Sequence, residues 1–167
     1  MENKKKKLYF CKIDSIIGSI YIVKSEIGLR RVELFEEEWI KFKEKNNNLI
    51  ENVDMCNDII KQLSEYFNGK RKNFDLKLDV DGTEFRKKVW KELNNIPYGE
   101  IKSYSYVANK IGNSKAVRAI GQANKANPIP IIIPCHRVAG KSGKLLGYAG
   151  SHTDIQEKLI KFEQKNL

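Results

Sequence analysis

A thiol, an imidazole and a guanidinium stand side by side at Cys135, His136 and Arg137. A cysteine and a histidine are the pair of groups that thiol hydrolases use for nucleophilic catalysis. A cysteine that follows an isoleucine run can equally be a small core residue. His136 and Arg137 are costly to bury without partners, so Cys135 marks the point where the chain passes from core to a polar environment.

The residues before Cys135 must position it. Residues 127–138 read Asn-Pro-Ile-Pro-Ile-Ile-Ile-Pro-Cys-His-Arg-Val, with three prolines at 128, 130 and 134. Each proline fixes its own φ, lacks an N–H donor and favours extended geometry at the residue before it, which excludes a helix interior. The pattern predicts a short buried strand or extended run with Cys135 at its end.

Composition limits the classes of protein that this chain can form. Its 167 residues are enough for one good core or for a small domain packed on another, and 41% of them are hydrophobic. No apolar run approaches the roughly 20 residues of a membrane span, and the lysine-rich start does not resemble a secretory signal. Three well-separated cysteines suit reduced thiols, so we expect a cytoplasmic protein. Two histidines and no Cys-x-x-Cys pair lead us to expect no metal site and no cofactor.

The positive charge is concentrated in the second half of the chain. The formal net charge is +10; residues 1–80 carry 16 Lys/Arg against 14 Asp/Glu, whereas residues 81–167 carry 15 against 7. A polyanion such as double-stranded DNA would therefore bind the C-terminal half. A lysine-rich composition without any nucleic-acid role is the alternative.

The first 80 residues predict an α+β domain. Apolar runs separated by turn residues favour an antiparallel sheet, and apolar residues at helical spacing between Val53 and Phe67 predict a helix that ends at Asn68-Gly69. Phe74 to Val80 predict a returning strand or an extended linker. We place a domain boundary at residues 79–82, giving domains of residues 1–80 and 81–167. The predicted strands cover residues 8–11, 18–23 and 28–35.

The second domain is predicted to be mainly helical. Thr83 can cap a helix to Leu93, with Trp90 in the core. Helices from Ser103 to Ile111 and from Ser114 to about Lys125, joined by a turn at Gly112-Asn113, form a helix-turn-helix pattern. Residues predicted to face DNA are Arg118, Gln122, Asn124 and Lys125, and those predicted to face inwards are Val117, Ile120 and Ala123. Gly121 suggests the close approach of another backbone or of a phosphate.

The end of the chain predicts one more helix. Thr153 to Gln156 match a capping box, and Ile155, Leu159 and Phe162 form its apolar stripe. Glu163 falls near the end of this helix, where the dipole does not favour a carboxylate unless it has a partner.

Several of these motifs together resemble a known family. Ile133-Pro134-Cys135-His136-Arg137-Val138, preceded by Asn127-Pro128 and by Ala116-Val117-Arg118-Ala119, and followed by Gly147-Tyr148-Ala149-Gly150, resembles the O(6)-alkylguanine-DNA alkyltransferases. The resemblance covers residues 83–163. It implies a ribonuclease-H-like N-terminal domain and a DNA-binding, alkyl-accepting C-terminal domain.

The resemblance implies a reaction and a set of roles. Cys135 would be the acceptor, its thiolate taking the alkyl group from guanine O(6) once and keeping it as a thioether; O(4)-alkylthymine stays open as a second substrate. A water would link Cys135 to His136, and Glu163 would orient the imidazole. A free thiol titrates near pH ~8.5, so such activation is needed at neutral pH.

The remaining implied roles concern DNA and the flipped base. Arg118 would fill the gap left by the base, the Tyr104 hydroxyl would donate a proton or assist rotation of the nucleotide, and Asn127 would hold the helix-turn-helix against the active-site segment. The Val138 carbonyl and the Ala149 N–H would read the guanine edge, and Tyr148 would wall the pocket. The family implies a monomer that binds the minor groove. One departure is Ser151-His152, where relatives commonly have Gly-Leu.

Three other functions remain open from the sequence. A binding-only alkyltransferase-like protein would flag lesions without transfer, although such relatives replace the acceptor cysteine. A thiol hydrolase would use the Cys-His pair but has no need of the basic half. A simple DNA-binding regulator would keep Cys135 as inert core.

Overall fold

A computed structural model describes residues 6–140 and 153–167 of the chain. The chain divides between Val80 and Asp81 into two compact units. No helix in these residues is long and apolar enough to cross a membrane. The architecture is α+β, with a sheet in the first unit and mainly helices in the second, as the sequence predicts.

The N-terminal unit is built on a four-stranded sheet in the order β3-β2-β1-β4. The first three strands are antiparallel, as predicted, with Gly18 at φ +103° in the β1–β2 turn. The short fourth strand, which the sequence did not predict, runs parallel to β1, so the sheet is mainly antiparallel. The elements are β1 (Leu8–Ser15), β2 (Gly18–Ser25), β3 (Leu29–Glu33), α1 (Glu36–Lys45), β4 (Leu49–Glu51), a 3-10 turn (Asp54–Cys56) and α2 (Asn57–Phe67).

Two groups of side chains hold this sheet in place. Trp39 of α1 stacks on Tyr21 with ring centroids 4.6 Å apart, and α2 buries Ile59, Leu63 and Tyr66 at helical spacing. Cys11 and Cys56 are both fully buried in this core. Their thiols share a hydrogen bond that, with burial, raises the pKa of Cys11.

The predicted returning segment extends the sheet at its β3 edge. Leu29 N–H donates to the Lys77 carbonyl at 2.9 Å, and Asp79 N–H donates to the Leu29 carbonyl at 2.8 Å. A Cβ on Gly28 would lie 2.4 Å from the Lys77 carbonyl oxygen, so only glycine fits there.

In its described residues, 81–140 and 153–167, the C-terminal unit has four α-helices and a short parallel strand pair. Thr83 and Ser103 cap their helices through their hydroxyls, which accept from Arg86 N–H at 3.1 Å and Tyr106 N–H at 3.0 Å. The elements are α3 (Glu84–Leu93), β5 (Lys102–Ser103), α4 (Tyr104–Lys110), α5 (Val117–Lys125), a 3-10 turn (Cys135–Arg137), β6 (Val138–Ala139) and α6 (Thr153–Lys165).

Helix α5 begins three residues later than predicted. The chain makes a turn at residues 114–116, closed by a hydrogen bond from Ala116 N–H to the Asn113 carbonyl at 3.1 Å. Trp90 is buried against this helix and donates its indole N–H to the Ala123 carbonyl at 2.8 Å. The indole therefore anchors α3 to the C-terminal end of α5.

Candidate active site

The segment before Cys135 is folded, and it is not extended as predicted. Ile133 N–H donates to the Ile129 carbonyl at 2.9 Å, which closes a turn around Ile131, whose φ is +76°. Cys135 then begins a 3-10 turn. The four isoleucines of this segment are buried, so packing holds the turn and fixes the position of Cys135.

Asn127 binds both ends of this turn. Its Nδ2 donates to the Ile133 carbonyl at 2.9 Å and to Cys135 Sγ at 3.1 Å, and its Oδ1 accepts from Ile129 N–H at 2.9 Å. The family resemblance implied that Asn127 holds the helix-turn-helix against the active-site segment. The structure adds a direct donor to the sulfur, and such a donor stabilises a thiolate more than a thiol.

The Glu163 carboxylate forms the buried centre of the site and is shared by the His136 imidazole and the Arg137 guanidinium. Glu163 Oε2 lies 2.7 Å from His136 Nε2, Arg137 Nε donates to Glu163 Oε1 at 2.8 Å, and Arg137 Nη2 donates to Oε2 at 3.0 Å. All three side chains are buried. The structure thus brings together His136 and Glu163, which the family resemblance paired, and adds Arg137 as a bidentate partner.

The loop after α3 completes the coordination of this carboxylate. Gly99 N–H donates to Glu163 Oε1 at 3.1 Å, and Arg137 Nη1 donates to the Ile96 carbonyl at 2.8 Å. The guanidinium also lies 5.6 Å from the centroid of the Tyr98 ring. These contacts supply the partners that a carboxylate near the C-terminal end of α6 requires.

The electrostatics follow from this geometry. Burial alone would raise the pKa of Glu163, but the hydrogen bonds and charges of His136 and Arg137 outweigh burial and hold that pKa well below its usual range. Burial lowers the pKa of His136, although Glu163 opposes the shift. The site at neutral pH therefore holds an ionised Glu163 and a neutral His136, whose Nε2 carries the proton that faces the carboxylate.

Tyr104 and Asn124 also interact with the acceptor residue. Burial raises the pKa of Tyr104, negative charge at Cys135 raises it further, and a hydrogen bond with Asn124 opposes the shift. Asn124 Nδ2 also donates to the Cys135 carbonyl at 3.4 Å, and only 3% of the residue is exposed. The prediction that Asn124 faces DNA is therefore wrong, because its side chain packs inside the unit against the active-site segment.

The backbone after the 3-10 turn is held by α6. Gln156 Nε2 donates to the Val138 carbonyl at 2.8 Å and to the His136 carbonyl at 3.3 Å, and Gln156 is buried. The Val138 carbonyl, to which the family resemblance gave the guanine edge, thus already accepts one protein donor. Tyr148, Ala149 and the Ser151-His152 departure lie outside the described residues.

Helix α5 presents most of its predicted polar face. Arg118, Gln122 and Lys125 are exposed, and Ile120 and Ala123 are buried as predicted. Val117, the first residue of the helix, is 38% exposed and does not face inwards as predicted. A Cβ on Gly121 would have no neighbour within 4 Å, so no other backbone approaches there.

Two positioning residues were missed from the sequence. Arg137 was noted only as a polar group in need of a partner, and Gln156 was assigned to a capping box. A buried arginine has few partners other than a carboxylate, so the presence of Glu163 on an otherwise apolar stripe was a usable signal. Within residues 6–140 and 153–167, no group of three or more His, Cys, Asp or Glu could hold a metal ion.

Comparisons with known families match nearly the whole chain. Residues 8–80 match the model of the 6-O-methylguanine DNA methyltransferase, ribonuclease-like domain, and residues 84–165 match that of the 6-O-methylguanine DNA methyltransferase, DNA binding domain. The chain is 47% identical to the methylated-DNA--protein-cysteine methyltransferase of Methanosarcina barkeri, over 96% of this chain and 99% of that protein. It is 44% identical to the constitutive enzyme of that name from Bacillus subtilis, over 93% and 95%.

Solved structures give the same result. The O6-methylguanine methyltransferase of Mycobacterium tuberculosis superposes with a TM-score of 0.87 at 37% identity, covering 96% of this chain and 94% of that one. The structure of the Mycobacterium tuberculosis OGT in complex with DNA gives a TM-score of 0.85 at 37% identity, covering 95% and 94%.

Proposed function

Because this chain belongs to the 6-O-methylguanine DNA methyltransferase family, we propose that it repairs DNA directly, moving the alkyl group of an O(6)-alkylguanine onto Cys135. The observation that carries the assignment is the donation from Asn127 Nδ2 to Cys135 Sγ at 3.1 Å, beside a buried His136 and Glu163 pair. O(4)-alkylthymine is a candidate second substrate. The reaction consumes the thiol, so each molecule acts once.

The first step is removal of the thiol proton. The proton of Cys135 passes through a bridging water to Nδ1 of His136, the ring nitrogen that the neutral tautomer leaves unprotonated. Glu163 stabilises the resulting imidazolium, and Arg137 holds the carboxylate in position. Asn127 stabilises the thiolate by its hydrogen bond.

The second step is a displacement at carbon. The thiolate attacks the alkyl carbon, the C–S bond forms, and the C–O bond breaks with its electron pair moving to guanine O(6). The base regains a proton from the Tyr104 hydroxyl, which is protonated at neutral pH because its pKa lies above the usual tyrosine value. The proton that His136 took from Cys135 then returns through water to the Tyr104 oxygen, so both side chains end in their starting states. Restored guanine and an S-alkyl cysteine result, and no cofactor takes part.

The target base must leave the duplex to reach Cys135. We assign Arg118 to the gap in the stack, with Gln122 and Lys125 on the same exposed face of α5 contacting the minor groove. Asn124 is removed from this set. Val138, Tyr148 and Ala149 are assigned to the pocket of the base.

We also assign a role to each domain and a compartment to the protein. Residues 81–167 form the DNA-binding and alkyl-acceptor domain, and residues 1–80 form the ribonuclease-like domain. We propose a monomer in the cytoplasm, a compartment that suits three cysteines that form no disulfide.

Intact-protein mass spectrometry tests the function. The protein is incubated with a duplex that contains one O(6)-methylguanine, and we expect a gain of about 14 Da, one methyl group, with no turnover beyond one equivalent. Cys135→Ser should show no gain, whereas Cys56→Ser, which removes a second buried thiol, should gain normally. Retained duplex binding without any gain in mass would favour the binding-only alternative.

A further inference from the structure

A second charged feature of the C-terminal unit lies on α4. The Tyr106 ring has two ammonium groups over it, Lys102 Nζ at 5.0 Å and Lys110 Nζ at 5.5 Å from the ring centroid. Both ammonium groups lie within about 6 Å of the ring centroid, the range in which a cation is attracted to an aromatic ring. We call these three residues the basic clamp.

The basic clamp lies on the solvent side of α4. Tyr104, Val107 and Ala108 form the buried face at helical spacing, whereas Tyr106 and Lys110, four residues apart, are on the opposite side. Lys102 has one carboxylate partner, Glu100 at 3.3 Å, in a half-exposed pair of the kind that contributes little. The local charge is therefore positive and accessible.

The basic clamp is also fixed relative to the acceptor cysteine. Lys102 and Ser103 of β5 pair in register with Val138 and Ala139 of β6, the strand that follows directly on the turn bearing Cys135. Ser103 then caps α4 through its hydroxyl. The strand pair and the helix cap thus tie the backbone of Lys102 and the start of α4 to the segment that bears Cys135.

We infer that Lys102, Tyr106 and Lys110 bind the phosphodiester backbone of the lesion-bearing strand beside the flipped nucleotide. This inference rests on the proposed function. In helix-turn-helix proteins the first helix crosses the backbone while the second enters the groove, and α4 is the first helix here. The tyrosine ring holds the two ammonium groups together, so less side-chain entropy is lost when a phosphate binds.

The experiment removes phosphate charge and lysine charge separately. Duplexes carry one O(6)-methylguanine and, in each, one neutral methylphosphonate at a linkage within four nucleotides of the lesion on the same strand. Their affinities are measured with the wild-type chain and with a Lys102→Gln/Lys110→Gln variant. A Lys87→Gln/Lys91→Gln variant, altered at two exposed lysines of α3, is the control of equal charge.

We expect the wild-type chain to lose roughly 10-fold in affinity at one or two linkages, and the clamp variant to lose less than about 2-fold at those linkages. The control variant should keep the wild-type profile. The salt slope of log K should become shallower by about 1.8 in the clamp variant, for two lost contacts. Tyr106→Leu should weaken binding by about 2- to 5-fold. A clamp variant with the wild-type methylphosphonate profile would overturn the inference.

A second substrate separates this inference from the proposed function. The free base O(6)-methylguanine has no phosphate, so the wild-type chain and both lysine variants should methylate Cys135 from it at equal rates, which also verifies their folding. If the wild-type chain accepts a methyl group from neither the duplex nor the free base, the proposed function itself is rejected.

Discussion

Glu163 and Arg137 form a bidentate pair inside the C-terminal unit, with Nε to Oε1 at 2.8 Å and Nη2 to Oε2 at 3.0 Å. The same carboxylate lies 2.7 Å from His136 Nε2. Buried ion pairs stabilise little over an apolar substitute, but removal of one partner leaves an uncompensated buried charge. The pair therefore serves to fix the imidazole beside the acceptor.

Glu163→Gln should destabilise the protein by about 3–5 kcal/mol, because Arg137 would stay buried without its counter-charge. Glu157→Gln is the matched control on the same helix: Glu157 pairs with Lys161 at 2.7 Å at an exposed position, and its loss should cost less than about 1 kcal/mol. Urea unfolding followed by circular dichroism measures both. Equal effects of the two substitutions would contradict a buried structural role for Glu163.

His136 should make the protein less stable below about pH 6.5, the usual pKa of histidine. Burial lowers the folded pKa of His136, so below this pH the unfolded chain binds a proton that the folded chain does not. Above pH 6.5 His136 causes no loss of stability. As the pH decreases from 6.5 to the folded pKa of His136, the free energy of unfolding falls by up to about 1.4 kcal/mol per pH unit.

The contribution of His136 is isolated by comparing unfolding free energies from pH 5 to 8 in the wild-type chain and His136→Gln. The glutamine amide can still donate to Glu163 but does not titrate. The variant should lack this part of the pH dependence, whereas His152→Gln, at the only other histidine, should retain it. A His136→Gln curve parallel to the wild type would contradict a depressed pKa.

Asn127→Asp should slow alkyl transfer by roughly 10- to 150-fold, the equivalent of a lost charge-assisted hydrogen bond of about 1.5–3 kcal/mol. The carboxylate keeps the shape of the amide but offers no donor to Cys135 Sγ and repels a thiolate. Single-turnover rates with free O(6)-methylguanine measure the step without DNA. Asn95→Asp, at an exposed position, should stay within about 2-fold of the wild type. An unaffected Asn127→Asp rate would show that the bond to sulfur does not matter.

Duplex binding should weaken steeply with salt, with a slope of log K against log salt of about −4.5 for about five phosphate contacts. A salt-independent affinity would contradict binding through the DNA backbone.

Arg118→Ala should slow repair of duplex O(6)-methylguanine by roughly 100-fold, since an unstacked base costs a few kcal/mol to hold out. Its rate with the free base should not change. Arg86→Ala, on the exposed side of α3, should affect neither rate. Equal losses of rate with the duplex and with the free base would contradict the role assigned to Arg118.

The sequence predicted the elements that depend on local signals. Helix α3 starts after the predicted cap Thr83, and α4 starts at Tyr104, one residue after the predicted start at Ser103. Helix α2 ends at Phe67, with Asn68 as its C-cap before Gly69, where the sequence predicted its end. These features follow from short-range hydrogen bonds and backbone preferences, which a sequence window contains.

Features that depend on distant partners were not predictable in this way. Strand β4 has three residues and gains its pairing only from β1, more than 30 residues earlier in the chain. Asn124 is a polar residue on the predicted polar face of its helix, which indicated exposure, but its side chain bonds to Tyr104 and to the Cys135 carbonyl. Arg137 and Glu163 are 26 residues apart, and nothing in either neighbourhood specifies the bidentate geometry.

Ile131 determines how self-sufficient the cysteine-bearing segment can be. A β-branched residue at φ +76° costs of order 1–3 kcal/mol, so an isolated peptide of residues 127–138 would not adopt this turn. The rest of the domain, against which the isoleucine side chains of this segment are buried, imposes the conformation, and the hydrogen bonds of Asn127 then hold it. The reactive geometry is thus a property of the assembled domain. The Pro-Cys-His-Arg motif transplanted alone into another scaffold would keep its sequence but would not adopt this backbone conformation.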